Sequence, residues 1–278
     1  MIHIICDSTA GLAQEFVDAH ENIHVVPLYI SLGGDYIDER ELTQADVFDY
    51  VRRTDQQPLT SQPSVGQLME LDAKIPEEDG IIALTITSCV SGTTQTMQMV
   101  AKQSRRKHFV ALDSMSTESG MRFMIESALQ MIEEGRNFDE IVAHLEKQIL
   151  RIRTMFVPGT LEYLRRGGRI GKAANLIGTL LQIRRIIYID ESNQLNILDK
   201  VRTNKKAHRK MMEAALAKPV RRIAIPDLDC AAEADALCET IKEQLPGVLV
   251  ERTKGTPALA CHLGPGLVAI MVEWQEEA

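Results

Sequence analysis

The length, composition and charge of this 278-residue sequence indicate a folded globular protein. Hydrophobic residues make up 45% of the chain and charged residues 25%, which excludes an intrinsically disordered protein. No run approaches the roughly 20 apolar residues of a membrane span, and residues 1–7 lack the features of a secretory signal. The five cysteines form no C-x-x-C pair, so we expect reduced thiols in the cytoplasm rather than disulfides or a zinc site.

Charge is spread unevenly along the chain. The net charge is −8, yet residues 151–218 carry 15 Lys and Arg against 5 Asp and Glu, a local charge of +10. Such a segment favours a docking surface or an anionic ligand, while a solvated helical face is the ordinary alternative. No nucleic acid is expected as a partner, because the segment contains no recognisable binding motif.

Three apolar runs in the first half each end in a polar loop and precede a helix-compatible segment. The runs are residues 2–6, 80–86 and 109–112, and the loops contain Asp7-Ser8, Ser88 and Asp113-Ser114. Alternating strand and helix patterns predict a parallel sheet with helices on both faces. Since the carboxyl ends of parallel strands share one rim, we expect the three loops to lie together where a ligand binds.

One further strand and two helices are predicted between the first two of these runs. Residues 25–32 form an apolar run that is typical of a strand. Each helix start is predicted by a capping box, in which a Ser or Thr is followed three residues later by an acid or amide. The two boxes are Thr43-x-x-Asp46 and Ser64-x-x-Gln67.

The loop after residues 80–86 has the chemistry of an anion site. Free N–H groups at a strand–loop–helix corner, together with the hydroxyls of Ser91 and Thr93, suit a carboxylate or a phosphate. A simpler interpretation is that Ser91 or Thr93 caps the next helix. Pro63 disfavours helical backbone at Gln62, so residues 60–62 are expected to be extended or turning. Their side chains either face a ligand or belong to a polar connector.

The second half changes character, with a boundary expected near residues 153–158. Residues 160–171 are interpreted as a short helix followed by a glycine-rich basic turn, and residues 174–181 as a helix. A hairpin is predicted around Ser192-Asn193, followed by alternating helices and strands to residue 273. His262 lies in a predicted turn over residues 262–266, where a lone histidine is usually incidental.

The sequence contains none of the common catalytic motifs. There is no P-loop, no G-x-G-x-x-G, no H-E-x-x-H and no G-x-S-x-G, and the seven histidines have no metal-ligand spacing. Several hydroxyls are candidate nucleophiles, but the sequence assigns no base to any of them. These observations argue against a metal site and against catalysis. The first alternative function is an enzyme that acts on a small acyl or phosphate substrate.

A set of motifs extends along the whole chain. They are Asp7-Ser8-Thr9, Thr60-Ser61-Gln62-Pro63-Ser64, Ser91-Gly92-Thr93, Asp113-Ser114 with Ser119-Gly120, Leu161 to Gly171, and His262-x-Gly-Pro-Gly. In type and in order, these motifs resemble the DegV family, whose members include the fatty-acid-binding subunit of bacterial fatty acid kinase.

The resemblance implies a two-domain α/β fold without catalytic activity of its own and without a cofactor or metal. Residues 1–153 would form an N-terminal domain with a mostly parallel sheet, and residues 154–278 a smaller α/β domain that covers the ligand. One long-chain fatty acid, such as palmitate, stearate or oleate, would lie between the domains. A separate kinase subunit would phosphorylate its carboxylate to an acyl phosphate, in support of phospholipid metabolism.

The resemblance also implies roles for particular residues. The carboxylate site would comprise Thr60, Ser61, Ser91, Gly92, Thr93, Arg169 and His262. The acyl pocket would comprise Ile86, Met97, Met121, Met124, Leu161, Leu164 and Ile170. For the methionines, core packing is the default role, and an adaptable pocket wall is the sharper alternative. Arg166 and Arg202 would contact the kinase subunit.

Two positions depart from the family pattern, and both bear on ligand preference. Gly11 replaces a commonly acidic residue, and Thr94 replaces an aromatic one. The second alternative function is a lipid-responsive regulator that uses the basic segment to bind nucleic acid or protein. A transient contact with a membrane surface is a further expectation.

Overall fold

The computed structural model describes residues 1–170 and 183–276, which form three β-sheets packed against helices. The strands are β1 (Ile2–Asp7), β2 (Ile23–Val26), β3 (Tyr29–Ser31), β4 (Tyr36–Asp38), β5 (Leu59–Ser61), β6 (Gly80–Thr85), β7 (Phe109–Asp113), β8 (Ile152–Val157), β9 (Arg184–Ile189), β10 (Leu195–Val201), β11 (Val220–Leu228), β12 (Leu249–Lys254) and β13 (Leu267–Trp274). The helices are α1 (Gln14–Asp18), α2 (Gln44–Thr54), α3 (Val65–Lys74), α4 (Thr93–Gln103), α5 (Glu118–Glu133), α6 (Phe138–Arg151), α7 (Glu162–Arg166), α8 (Asn204–Ala215), α9 (Ala231–Gln244) and α10 (Pro257–Leu263). Two 3-10 turns span Ser8–Ala10 and Glu39–Glu41.

Strands β1, β2, β6 and β7 form a parallel sheet in the order β2-β1-β6-β7. Helices α5 and α6 cover one face, where Phe123 and Leu145 are fully buried. Helices α3 and α4 cover the other, where Leu68 and Met97 are buried. Every residue of β6 is buried, which explains its unbroken apolar sequence. The predicted parallel sheet with helices on both faces is confirmed.

Strands β8 to β13 form a second, mixed sheet in the order β10-β9-β8-β13-β11-β12. Strand β13 lies in the middle, antiparallel to both β8 and β11. The predicted hairpin is confirmed, since β9 and β10 pair antiparallel. Helices α8 and α9 pack on one face of this sheet around Met211 and Ile241. The predicted domain division after residue 153 falls within β8 and stays a prediction.

The prediction of a single strand over residues 25–32 is wrong. The segment divides between β2, in the parallel sheet, and β3, in a small antiparallel sheet of order β4-β3-β5. Pro27 separates the two strands. Because proline has no backbone N–H and fixes its own φ, it ends the pairing of β2 and lets the chain change sheets.

The predicted turn at residues 262–266 is wrong at its start. His262 belongs to the last turn of α10, which begins with Pro257 and ends at Leu263, and the following residue, Gly264, has a φ of +71°. Proline at the first position and glycine after the last are the normal boundaries of a helix. The helix predicted over residues 174–181 lies outside the described residues.

Gly159, two residues after β8, is expected to tolerate no side chain. A Cβ here would overlap the carbonyl oxygen of Pro265 and lie 3.2 Å from the Cα of Gly266. Both neighbours are backbone and cannot rotate away, so Gly159→Ala is expected to lower the free energy of unfolding by about 1–3 kcal/mol. Gly34→Ala is the matched control for urea denaturation, because a Cβ there meets nothing within 4 Å. Equal midpoints for the two variants would contradict the prediction.

Within residues 1–170 and 183–276, no helix has both the length and the apolar character needed to cross a bilayer.

Candidate functional site

A cavity of about 300 Å³ lies between the loops at the rim of the parallel sheet and the face of the mixed sheet opposite α8 and α9. Its volume is at the lower end of the range for small-molecule sites. Most of its lining is apolar. The apolar side chains that line it include Leu28, Ile86, Val90, Phe156, Leu164, Ile189, Leu195, Leu228, Leu259, Leu263 and Leu267.

The polar lining of the cavity includes two groups of residues, in addition to Thr87, Thr154 and Asp227. The first, which we call the His262 cluster, consists of Thr60, Ser61, Gln62, Ser91, Gly92, Arg169 and His262. The second, which we call the Glu118 cluster, consists of Thr9, Thr117 and Glu118. Among the described residues, no hydrogen bond joins the two clusters.

The His262 cluster is assembled from elements distant in sequence. Thr60 lies on β5, and its Oγ1 is 2.8 Å from Nε2 of His262 at the end of α10. Arg169 follows α7 and donates to the carbonyl oxygens of Gly167 at 2.7 Å and Val90 at 3.3 Å. These contacts place one hydroxyl, one imidazole and one guanidinium at a single part of the cavity wall.

The loop between β6 and α4 supplies a second hydroxyl. The Oγ of Ser91, which lines the cavity, is 2.9 Å from Oγ1 of Thr93. Thr93 itself is fully buried behind the wall and does not line it. A Cβ on Gly92 would lie 2.5 Å from Oε1 of Gln62, so this position needs glycine for Gln62 to lie against the loop.

His262 is neutral near pH 7. Burial, and secondly the positive charge of Arg169, lower the pKa of His262 to about 4. Its Nδ1 is buried and has no hydrogen-bond partner in the described part of the chain. A catalytic base for Thr60 would need a pKa near the working pH and a third group to orient its ring. The Thr60–His262 pair therefore lacks the features of a nucleophile and its base.

The charge and donors of the His262 cluster suit an anion. Arg169 carries the positive charge, and the hydroxyls of Thr60 and Ser91 can donate hydrogen bonds to a carboxylate. Together with the apolar lining, the cluster can accommodate an amphipathic molecule with one acidic end. In residues 1–170 and 183–276, no group of three His, Cys, Asp or Glu side chains is arranged to hold a metal ion.

The structure places most of the predicted carboxylate-site residues together and separates part of the predicted acyl pocket from the cavity. Thr93 is the carboxylate-site residue that lies behind the wall. Of the predicted acyl-pocket residues, Ile86 and Leu164 line the cavity. Leu161 and Ile170 belong to the apolar cluster around it and are not among its lining residues.

The three methionines do not lie where the acyl-pocket prediction put them. Met121 and Met124 are fully buried between the parallel sheet and α6. Met97 is fully buried on the opposite face of that sheet. Their helical spacing reflects core packing, which is the default role of such a stripe.

The two predicted docking residues differ in their ion pairs. Arg166 forms ion pairs, whereas Arg202 forms none with the described acidic residues. Arg166 pairs with Glu162 at 2.8 Å and with Asp55 at 3.0 Å. Arg202 follows β10 directly and is exposed. It therefore adds to the positive charge of the surface near the start of α8.

The Glu118 cluster was missed by sequence reasoning. Thr117 and Glu118 follow the loop after β7, and Glu118 begins α5 with a φ of +47°. The backbone N–H and the hydroxyl of Ser119 both donate to Oε2 of Glu118, and burial raises the pKa of Glu118. The position of Thr117 and Glu118 next to Asp113-Ser114, in the third of the predicted rim loops, is the sequence feature that could have identified them as lining residues.

Two further buried carboxyls lie beside the cavity. Asp7 accepts hydrogen bonds from the backbone N–H groups of Ile86 at 2.6 Å and Thr9 at 3.1 Å. Glu39 accepts from the hydroxyl of Ser8 and from the N–H of Ala258, the latter at 2.8 Å. Burial raises the pKa of Asp7 to about 6 and that of Glu39 to about 7. Glu39 thereby joins the start of the chain to the helix that carries His262.

The fold and the cavity define an α/β protein with a largely apolar chamber between a parallel and a mixed sheet. The family described as "Uncharacterised protein, DegV family" matches residues 1–275. The chain belongs to the DegV family, as its motifs predicted.

Relatives match over nearly their whole length. A DegV domain-containing protein from Clostridium acetobutylicum is 33% identical over 280 residues, covering 98% of each chain. The solved structure of a fatty-acid-binding DegV family protein from Streptococcus agalactiae is 26% identical, with a TM-score of 0.92 and 99% of each chain covered. A fatty-acid-binding DegV family protein from Thermus thermophilus is 29% identical, with a TM-score of 0.88 and 99% of each chain covered. These matches confirm the predicted fold class.

Proposed function

We propose that this protein binds one long-chain fatty acid in the cavity, with the carboxylate at the His262 cluster. The observation that carries the proposal is an apolar chamber whose wall brings Thr60, Ser91, Arg169 and His262 together. The fatty acid binding stated for the similar proteins from Streptococcus agalactiae and Thermus thermophilus supports the same ligand class.

The energetics favour such a ligand. Burying about 15 methylene groups at about 0.8 kcal/mol each contributes roughly 12 kcal/mol before the costs of ordering and association. Removing water from a carboxylate is unfavourable unless charged and polar donors replace it. The guanidinium of Arg169 and the hydroxyls of Thr60 and Ser91 would supply those donors.

We propose further that the protein has no catalytic activity alone and presents the carboxylate to a partner kinase in the cytoplasm. The low pKa of His262 and its unpartnered Nδ1 support a binding role rather than nucleophilic catalysis. Arg202, exposed beside a helix rich in lysine and arginine, is the better placed of the two proposed docking residues. The proposed division into domains of residues 1–153 and 154–278 would put the ligand between them.

Removal of one carboxylate donor tests the proposal. Thr60→Ala and Ser91→Ala are each expected to weaken fatty acid binding by about 10- to 150-fold, since a hydrogen bond to a charged group contributes about 1.5–3 kcal/mol. Titration calorimetry with palmitate gives the affinities, and thermal melts check that the fold is retained. Thr240→Ala is the matched control, because its exposed hydroxyl bonds only the carbonyl of Ala236 in the same helix. Unchanged affinity in both cavity variants would refute the head-group assignment.

Native mass spectrometry of the freshly purified protein tests the ligand class itself. A bound fatty acid at one molecule per chain is the expected result. A protein that is empty and takes up no added fatty acid, but hydrolyses a small acyl ester or acyl phosphate, would establish the enzyme alternative instead.

A further inference from the structure

The side chain of Asn193 joins the mixed sheet to the loops at the rim of the parallel sheet. Asn193 lies in the turn between β9 and β10, and its side-chain nitrogen donates to Oγ of Ser88 at 2.9 Å and to Oδ2 of Asp113 at 2.7 Å. Its side-chain oxygen accepts a hydrogen bond from Oγ1 of Thr87. We call these three hydrogen bonds the Asn193 latch. They connect a hairpin of one sheet to the loops that follow β6 and β7 of the other.

The segments that the Asn193 latch connects are both parts of the cavity wall. Ile189 and Leu195 pair with each other on either side of the turn, and both line the cavity. Ile86 and Thr87, at the start of the loop after β6, line it as well. The latch therefore closes the gap between two parts of the lining. If its bonds break, the turn and the loop can separate, and the cavity opens to solvent between them.

The Asn193 latch lies where local opening costs little free energy. Asn193 is half-buried, and so are residues 88–91 of the loop after β6. Water can compete for hydrogen bonds at such positions, which belong to the less stable parts of a fold. Elsewhere the loops are joined by a buried contact, since Glu39 is 1% exposed and accepts from the N–H of Ala258 at 2.8 Å. Separation is therefore easier at the latch.

We infer that the Asn193 latch is a gate through which the ligand enters and leaves the cavity. This inference rests on the proposed fatty acid binding and adds the route of exchange. A ligand among the apolar side chains of the lining leaves through an opening in the wall, and opening steps of this kind commonly limit the rate of release. Because the same opening precedes entry and exit, weakening the latch raises both rate constants by the same factor. The Kd for the ligand then stays nearly unchanged.

Asn193→Gly tests the gate while keeping the turn. The φ of Asn193 is +54°, a left-handed conformation that glycine adopts readily. Stopped-flow fluorescence with cis-parinaric acid gives both rate constants. Each is expected to rise by about 10- to 150-fold, the factor that corresponds to the 1.5–3 kcal/mol of one hydrogen bond to a charged group. The Kd is expected to change by less than about twofold, whereas the loss of a carboxylate donor such as Thr60 would raise it.

Two further variants make the comparison specific. Asn193→Asp is expected to raise both rate constants at least as much, because its carboxylate would face that of Asp113 where the amide now donates at 2.7 Å. Asn196→Ala is the control. The amide of Asn196 donates to Asp190 of the same hairpin at 3.0 Å, so this variant should keep the wild-type rate constants. Thermal melts check that each variant is folded.

Hydrogen exchange followed by mass spectrometry gives a second measurement that uses no ligand. Peptides covering residues 86–92 and 190–195 are expected to exchange faster in Asn193→Gly than in the wild-type protein, while residues 267–274 of β13 keep their protection. Equal exchange in the two proteins would show that Asn193 does not hold the segments together, and would overturn the inference.

The kinetic outcomes separate the inference from the proposed function. Unchanged rate constants in both Asn193 variants would mean that the ligand passes elsewhere, and fatty acid binding would stand while the inference fails. A higher Kd without faster association would assign Asn193 a purely structural role, which also overturns it. If the wild-type protein binds no fatty acid, the proposed function fails, and the hydrogen-exchange comparison alone decides whether the latch controls opening of the cavity.

Discussion

Replacing Arg222 with alanine is expected to lower the free energy of unfolding by about 3–5 kcal/mol, the usual loss when one partner of a buried ion pair is removed. Arg222 donates to Glu273 at 2.7 Å and to Glu126 at 2.8 Å. Glu273 is completely buried. In the variant its carboxylate would lose the hydrogen bond from Arg222 and, among the described residues, keep only the longer contact with Arg221. Urea denaturation followed by circular dichroism measures the change.

The large effect is expected because Arg222 joins two parts of the fold. Its guanidinium also donates to the carbonyl oxygen of Phe123 at 2.5 Å and to the hydroxyl of Ser127 at 3.0 Å, both on α5. It therefore links the helix behind the parallel sheet to β11 of the mixed sheet.

Arg221→Ala is the control for this prediction. Arg221 contacts the same carboxylate of Glu273 at 3.2 Å, but its side chain is 44% exposed. Exposed pairs contribute about 0–1 kcal/mol, so a loss of under about 1 kcal/mol is expected. If both variants lost a similar amount of unfolding free energy, the burial of Arg222 would not be what determines its contribution to stability.

Replacing Glu39 with glutamine is expected to remove part of the pH dependence of stability. Burial raises the pKa of Glu39 to about 7 in the folded protein, against an ordinary value of 4.5. The folded state therefore holds this proton more tightly than the unfolded chain does. As the pH rises from about 4.5 to about 7, the wild-type protein loses stability through this group, by roughly 3 kcal/mol in all.

The glutamine variant should show a flatter profile over that range. Its amide oxygen can still accept from the N–H of Ala258, which Glu39 now binds at 2.8 Å. Relative to wild type, the variant should gain stability between pH 4.5 and 8, while Asp7, whose pKa burial raises to about 6, keeps a residual slope. Guanidinium denaturation at pH 4.5, 6 and 8 measures the profile.

Glu41→Gln provides the comparison for this profile, because Glu41 lies on the same 3-10 turn and is exposed. Its stability should follow the wild-type dependence on pH. A Glu39→Gln profile parallel to both would mean that the buried carboxyl is not protonated in the folded protein over this range.

The parts of the fold that local sequence determines were predictable. The capping boxes of Thr43 with Asp46 and of Ser64 with Gln67 both form, and they begin α2 and α3 as expected. Apolar runs that end in polar loops identified β1, β6 and β7, and the parallel pairing of these strands brings their loops to one rim. The His262 cluster was accessible through family motifs rather than through spacing.

The remainder depends on contacts distant in sequence. Periodicity placed Met97, Met121 and Met124 on helices, but it could not tell a face that packs on a sheet from a face that lines a cavity. The only signal for the Glu118 cluster was its place in the third rim loop, because Thr117 and Glu118 share a cavity wall with the mixed sheet only in the folded chain. A local pattern of residue types does not reveal a contact between elements that are distant in sequence.

The central place of β13 has a consequence for how the chain folds as it is synthesised. Strand β13, the last strand in the described chain, lies between β8 and β11, which are both made earlier. Until it inserts, those two strands expose unpaired edges, which promote association between chains. The contact between Thr60 and His262 also forms late, because His262 is synthesised 202 positions after Thr60. We therefore expect a nascent chain that stops before residue 267 to aggregate and to bind no ligand, whatever the stability of its parallel sheet.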